Sequence, residues 1–353
     1  MISINLKGSH YILLLSFLSC LTIQGQKTAM DSLRGLGICD ENGFCNPNLP
    51  GVPRSKGFEL TKQHVLDYRI QTAINDSSQT TSSEVNGDDR ISLKLKFPLL
   101  LKDNFQLGMG VSYTTENFRF DDIENINNEF YENLENKSLR RLSSSIYGIR
   151  PFKGNRYMAG RFNVSLNGDF NDGFGKTTDY LRFSVALLYG IRSNMFKVEG
   201  IGLAYNYNFG RLAIYPFYAY NRQFSNKHGV ELLLPVQAKY RYSPNDKNYF
   251  LFTMQLEGSN YNINLPSFPE SSLFLAKSDL SSMITYEKEI HDFFWVSGSI
   301  GYRKNLNFDL DRQIEFVNRS KEPFIDNTVN DALFFRISVF LVPPRSWMEK
   351  FGK

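Results

Sequence analysis

The chain has 353 residues, 42% of them hydrophobic, with a mean hydropathy of −0.33 and a formal charge of +4. That polarity excludes a bundle of membrane helices, and no run of five or six like charges marks a nucleic-acid-binding tail. With three cysteines and four histidines, metal and thiol chemistry have few residues to draw on.

At the N-terminus, Lys7 and the amino group precede an apolar stretch that opens with Ile12-Leu13-Leu14-Leu15 and ends near Ile23. The stretch falls short of the roughly 20 residues a membrane-spanning helix needs, and it has the charge order of a secretory signal. Gly25 offers a small residue for cleavage, so residues 1–25 read as a signal peptide and Gln26 as the first mature residue. A lipoprotein signal at Leu18-Ser19-Cys20 is the alternative, but Phe17 stands where such signals want a small aliphatic side chain. Residues 26–56 carry Gly, Pro and Asn without sustained periodicity and read as a periplasmic N-terminal segment. Within them Cys39 and Cys45 bracket Asp40-Glu41-Asn42-Gly43-Phe44. An oxidising compartment favours a disulfide across this short loop, with two free thiols as the other reading. No His or second Cys pair completes a four-ligand metal set, and no cofactor is expected.

From residue 57 to residue 342 apolar and polar residues alternate, with turn signals between segments. Tyr68, Ile70 and Ile74 oppose Asp67, Arg69 and Gln71; Ile91, Leu93, Leu95 and Phe97 oppose Ser92, Lys94 and Lys96. After Lys102-Asp103-Asn104, Phe105 to Tyr113 alternates with Gln106, Gly108, Gly110 and Ser112. Leu142, Ile146 and Gly148 oppose Arg141, Ser143 and Ser145, and a Lys153-Gly154-Asn155 turn leads to Phe162, Val164 and Leu166 against Arg161, Asn163 and Ser165. Leu181, Phe183, Val185 and Leu187 oppose Arg182, Ser184 and Ala186. Segments 194–208 and 210–222 alternate weakly. Val230 to Ala238, Phe250 to Leu256, residues 276–288 and Phe294 to Tyr302 follow. The last segment, 331–342, sets Leu333, Phe335, Ile337, Val339 and Leu341 against Arg336 and Ser338.

Behind an export signal, this pattern predicts an all-β fold: a transmembrane antiparallel up-and-down β-barrel in the outer membrane of a Gram-negative bacterium. The barrel covers residues 57–342, and 343–353 form a short tail. The segments run to about 11–17 residues, against roughly 5–6 for a soluble strand and about 9–11 for a tilted membrane strand. The 30 Phe and 19 Tyr, many near segment ends, suit interfacial girdles. A secreted soluble β-protein is the competing reading. Thirteen segments are an odd number, whereas such barrels have even ones, so twelve strands are expected, with fourteen as the alternative. Residues 75–88, 119–137, 168–178 and 305–328 are expected to be extracellular loops.

The polar parity carries Lys94, Lys96, Arg141, Arg161, Arg182, Lys197, Lys239, Arg241, Arg303 and Arg336, against Asp67, Glu199, Glu231 and Glu257. Arg or Lys facing lipid at mid-membrane costs about 2–4 kcal/mol, so these residues are expected to face the lumen. A basic lumen favours anionic solutes. In the other reading the charges pair with one another and with Tyr hydroxyls, plugging a small barrel. Nothing points to an enzyme: His64, His228 and His291 have no neighbouring nucleophile, and Asp88-Asp89 and Asp121-Asp122 lack a calcium-loop pattern. Gly108-Met109-Gly110 and Gly200-Ile201-Gly202 precede no helix and suit close strand packing rather than phosphate binding.

The run Glu231-Leu232-Leu233-Leu234-Pro235-Val236, followed by Lys239-Tyr240-Arg241-Tyr242-Ser243, Lys247-Asn248-Tyr249 and Glu257-Gly258-Ser259-Asn260-Tyr261, resembles an uncharacterised family of outer-membrane β-barrel proteins from Bacteroidota, a domain of unknown function. Ser92-Leu93-Lys94 through Phe97-Pro98 and then Phe105 to Tyr113 is similar to that family's early hairpin. The resemblance implies an outer-membrane barrel in a Gram-negative host, with no activity to transfer. The chain departs from many such barrels in ending its last strand at Pro343-Pro344, with Trp347 and Phe351 in the tail, rather than on an aromatic residue of that strand. The function expected is a narrow pore or binding barrel for small anionic or amphiphilic solutes. The alternative is a non-conducting structural or assembly barrel that binds partners through its loops or N-terminal segment. Expected partners are outer-membrane lipids, lipopolysaccharide and the barrel insertion machinery; no nucleic acid is expected.

Overall fold

The computed structural model describes residues 38–39, 45–46, 49 and 52–346, apart from 75–79, 103, 122, 124–127, 171–176, 268–272 and 318–321. The signal segment, Trp347 and Phe351 lie outside the described residues, as do the side chains of Cys39 and Cys45. Strands β1 (Ile38–Cys39) and β2 (Cys45–Asn46) pair antiparallel with Cys39 opposite Cys45. The strands that follow are β3 (Phe58–Val65), β4 (Tyr68–Ile74), β5 (Thr80–Lys102), β6 (Phe105–Phe120), β7 (Leu139–Pro151), β8 (Arg156–Gly168), β9 (Leu181–Asn194) and β10 (Lys197–Phe209). Then come β11 (Arg211–Gln223), β12 (His228–Leu234), β13 (Gln237–Asn245), β14 (Asn248–Ile263), β15 (Leu273–His291), β16 (Phe294–Asp311), β17 (Ile325–Val329) and β18 (Ala332–Leu341). Helix α1 (Glu129–Lys137) lies between β6 and β7, and α2 (Thr177–Tyr180) between β8 and β9.

Neighbouring strands from β5 to β16 pair antiparallel in chain order, and β18 pairs with β3 to close the sheet on itself. β4 continues β3 past residues 66–67, and β17 precedes β18 across residues 330–331, so two wall strands are each broken once. Counted this way, the closed barrel has fourteen strands, not twelve. The shortfall comes from Val230 to Ala238, whose alternation runs straight through a two-residue turn at Pro235-Val236 and so reads as one strand where there are two. Turns after β5, β7, β9, β11, β13 and β15 are short and share one end of the barrel with both chain ends of the sheet. In the second of these turns Gly154 (φ +75°) and Asn155 (φ 63°) take the left-handed conformation, which those residue types tolerate best.

The outer wall carries an apolar belt in which Ile201 and Ile337 are 67% exposed and Phe252, Ile284 and Ile300 about half exposed. So large a continuous apolar surface is stable only against lipid. Towards the long-loop end the pattern inverts. Val65, Tyr68, Ile70, Val85, Phe118 and Phe120 point inward into an apolar core, while Arg69, Gln71, Glu84, Asn117 and Arg119 are exposed. The break after β3 and a bulge at Val85/Gly87 in β5 shift the parity of those two strands by one residue, whereas β6 keeps one parity from Ser112 to Phe120 and its inner positions simply change from polar to apolar. This corrects the 66–74 segment: Tyr68 and Ile70 are core residues, not lipid-facing ones. It also shortens the expected loops, because β5 begins at Thr80, β16 runs to Asp311 and β17 occupies Ile325–Val329.

The same core packs into the long-loop end. Asn128 caps α1 by accepting from the backbone N–H of Phe130 (3.1 Å) and Tyr131 (3.3 Å), and Phe130, Tyr131 and Leu134 are buried. The Tyr131 ring stacks on Phe120 at 4.8 Å. β12 and β13 are short, and beyond them the wall overlaps itself. Asn260, Asn262, Ala276 and Ser278 have the outward parity of Phe252 and Ile284 but are buried, because β14 and β15 bend in behind β8–β10. Asn167 donates to the Asn260 carbonyl (3.1 Å), Arg182 to Asn260 Oδ1 (3.0 Å), and the Gly210 turn lies against Gly258.

Inward aromatic rings lie flat on the wall over glycines directly opposite them: Tyr147 over Gly108, Tyr157 over Gly190, Phe217 over Gly202 and Phe334 over Gly301. A Cβ at any of these glycines would overlap the ring. Gly202→Val is expected to destabilise the barrel by about 1–3 kcal/mol through overpacking, read as a lower urea midpoint of the detergent-folded protein.

Candidate functional site

The short-turn half of the barrel encloses a polar lumen of two adjoining cavities, about 150 and 200 Å³, that share Arg90, Lys94, Lys96 and Glu257. Among the described residues, eleven Arg and Lys line the two cavities against six Asp and Glu. Inward hydroxyls pair across strands along the wall: Ser92 with Thr114 (3.0 Å), Ser112 with Ser143 (2.7 Å), Thr61 with Ser338 (2.9 Å) and Thr285 with Ser299 (2.8 Å).

Ion pairs and hydrogen bonds to neutral amides hold the charges. Arg90 donates to Glu257 (3.1 Å), Arg336 gives two hydrogen bonds to Gln63 Oε1 (3.0 and 2.7 Å), and Lys239 bonds Glu231 (3.4 Å). Arg241, 1% exposed, contacts Glu231 and donates to Gln223 (3.0 Å). Where the lumen meets the apolar core, two buried pairs cross it. Lys277 contacts Glu116, and Arg303 donates to Asp88 Oδ2 (2.7 Å) while lying 4.5 Å above the Tyr68 ring. The Tyr68 hydroxyl donates to the same Asp88 oxygen at 3.0 Å.

Of the basic residues singled out in the sequence, Lys94, Lys96, Arg141, Arg161, Lys239, Arg241 and Arg336 line the cavities together, with Glu231 and Glu257. Arg303 points inward but sits above them in its pair with Asp88. Arg182 points inward too, yet it is spent on the overlap of the wall, donating to Asn260 and to the Asp179 and Leu181 carbonyls. Three residues are elsewhere. Lys197 and Glu199 share the outward parity of Ile201 and Leu203 and pair with each other at 2.8 Å next to a short turn. Inside that stretch of β10 the wall shows Val198, Gly200, Gly202 and Ala204. Small inner residues rather than polar ones misdirect a reading based on polarity. Asp67 is exposed at the break between β3 and β4.

Sequence reasoning missed Arg90, Lys277, Glu59, Glu116, Asp279 and Glu287. Arg90 follows the Asp88-Asp89 pair at the edge of an expected loop, and the signal that could have found it is its shared parity with Ser92 and Lys94. Missed as well was the chain entering the short-turn mouth. Leu49 is buried among inward residues of β7–β12. Lys56 bonds Glu59 (2.8 Å) and Glu287 (2.9 Å) and stands 4.0 Å from the Phe340 ring centre. At the rim, Arg54 donates to Asp292 (3.1 Å), to Glu289 (3.3 Å) and to the Pro343 carbonyl (2.8 Å), and Arg345 grips the same two carboxylates.

The chain belongs to the family described as Domain of unknown function (DUF6268), whose model matches residues 63–339. No curated protein matches it. Among solved structures it is similar to the KdgM porin in complex with disordered oligogalacturonate (6% identity, TM-score 0.33, covering 81% of this chain and 99% of that one). It is also similar to an outer membrane channel from Pseudomonas putida F1 (10% identity, TM-score 0.40, covering 83% and 98%). A third is the Pseudomonas putida toluene transporter TodX (8% identity, TM-score 0.31, covering 90% and 98%).

Removing one partner of a buried pair strands the other. Asp88→Asn is therefore expected to cost about 3–5 kcal/mol, seen as a lower urea midpoint, and Asp88→Asn with Arg303→Met should cost less than the two single changes added together. At the rim, burial would raise the Asp292 carboxyl, but hydrogen bonds from the Arg345 backbone and guanidinium and the nearby Arg54 charge hold it below its ordinary value. A lowered folded-state value contributes stability above the unfolded value of about 3.9 and loses it as pH falls through the folded one. Limited proteolysis within residues 52–57 should stay slow down to about pH 4 and accelerate below it.

Proposed function

We propose that this member of the family is an outer-membrane barrel of a Gram-negative bacterium whose narrow, net-basic lumen takes in small anions. The short-turn end then faces the periplasm and the long-loop end the outside, the usual polarity of single-chain bacterial barrels. The excess of eleven basic over six acidic residues around the cavities carries the reading. Enclosed by low-dielectric walls, such an excess lowers the free energy of an entering anion and raises that of a cation. A Bacteroidota host, contact with lipopolysaccharide and delivery by the barrel insertion machinery belong to the same reading. So does a Cys39–Cys45 disulfide, supported by the two residues facing each other across β1 and β2.

One observation favours a second reading. The core around Phe118, Phe130, Tyr131 and Phe308 packs into the long-loop end, and Leu49 and the 52–57 strap enter the opposite mouth. In that reading the barrel conducts nothing at rest and serves as a closed or partner-bound component.

Purified mature protein in planar bilayers under a KCl gradient separates the two. An anion-favouring lumen gives a reversal potential of the sign set by chloride, shifted towards zero by Lys94→Glu with Lys96→Glu. A silent barrel that co-purifies a partner, lost on deleting residues 26–56, would establish the second.

A further inference from the structure

The N-terminal strap crosses the short-turn mouth from one wall to the other. At its near end Gly57 extends β3, donating its N–H to the Leu341 carbonyl (2.8 Å) and accepting from the Lys96 N–H (2.7 Å). At its far end Leu49 is buried, and Val52 packs with it, in an apolar cluster with Tyr147, Tyr157, Val198 and Phe217, inward residues of β7–β11. β2, just ahead of Leu49, lies beside β7 and β8 of the same wall. β11 is seven strands from β3 in either direction round the fourteen-stranded barrel, so the cluster belongs to the wall opposite β3. Between the two ends Val52, Arg54 and Lys56 line the larger cavity. Arg54 also reaches the β15–β16 turn, which sets the strap on the short-turn side of that cavity.

We propose that Leu49 and residues 52–57 act as a built-in crossbar: seated, they keep solute out of the lumen from the short-turn side, and the mouth opens when they lift. The inference rests on the reading of the lumen as a solute compartment. Residues 52–56 belong to no strand, so side chains rather than a backbone ladder keep the strap seated. Arg54 donates to the Asp292 side chain (3.1 Å) and carbonyl (2.6 Å), to Glu289 (3.3 Å) and to the Pro343 carbonyl (2.8 Å). Arg345, just past the last strand, holds Asp292 (2.5 Å) and Glu289 (2.6 Å) from the other side. The two ends of the barrel chain thus meet on one turn, and the strap's share of that clamp is a single guanidinium. Lys56 adds its pairs with Glu59 (2.8 Å) and Glu287 (2.9 Å). Lifting the strap breaks these contacts and exposes Leu49, yet it leaves the β3–β18 closure of the wall intact. A segment held this way can leave its seat while the barrel stays folded.

The test is thiol labelling of Ser299→Cys, a position lining the larger cavity, in the detergent-folded mature chain with Cys39→Ser and Cys45→Ser. The probes are an anionic sulfonatoethyl and a cationic trimethylammonioethyl methanethiosulfonate. Both should react at least tenfold more slowly there than at Lys153→Cys on an exposed turn. Arg54→Gln plus Lys56→Gln should speed both at least tenfold, because the crossbar is a steric barrier. Leu49→Asn, which unseats the far end and leaves the clamp residues in place, should give the same gain. It replaces the double variant if that one fails to fold, judged by its heat-dependent shift on gels. Unchanged rates in the folded variants, or a starting rate equal to that at Lys153→Cys, overturn the proposal. The ratio of anionic to cationic rates in the opened variants, taken relative to the ratio at Lys153→Cys, reads the lumen beneath. A ratio above that reference supports the anion-favouring lumen. Faster labelling with no such preference defeats the lumen reading and leaves the crossbar standing.

Discussion

In hydrocarbon an unpaired backbone N–H or C=O has no water to turn to, and each one left bare costs several kcal/mol. The wall can exist only if its first and last strands find each other. β3 and β18 do so over eight register pairs, from Phe334↔Val65 to Leu341↔Phe58. That closure dictates the even strand number, places both ends of the sheet on one side, and leaves a cylinder whose inner surface can be polar because its outer surface is not. The lumen's chemistry follows from a backbone requirement, not the reverse.

Closure alone would leave the inside full of water and charge. The chain resolves this differently at its two ends. Near the short turns, hydroxyl pairs and ion pairs such as Arg90–Glu257 and Lys239–Glu231 hold the charges in place while cavities remain between them. Towards the loops, the inner face switches to Phe118, Phe130, Tyr131, Leu275 and Leu310, a core like that of a soluble protein, and the outer face becomes polar. The buried pairs Arg303–Asp88 and Lys277–Glu116 mark the boundary between the two regimes. Flat-lying rings over Gly108, Gly190, Gly202 and Gly301 let large aromatics enter the inner face without filling the lumen.

Much of the wall was legible from parity. Leu333 to Leu341 against Arg336 and Ser338, or Leu95 and Phe97 against Lys94 and Lys96, needs nothing beyond the two-residue period of a strand. What escaped did so for identifiable reasons. A two-residue turn preserves alternation, so β12 and β13 read as one strand. A one-residue bulge or break reverses which face an apolar residue occupies, so Tyr68 and Ile70 looked lipid-facing. Lys197 and Glu199 tolerate the outer face because they neutralise each other beside a turn. Which inward cations share a cavity depends on register between strands, as when Lys94, Ser112 and Ser143 fall in one row, and a single strand's sequence carries no register.

The interruptions at residues 66–67 and 330–331 lie at the same height on the two strands that close the barrel. The cylinder is in effect buttoned twice, by β18 on β3 within the belt and by β17 on β4 above it. The lower fastening can lock while the upper one is still undone, which allows the lipid-embedded ring to be complete before the crown over it has packed.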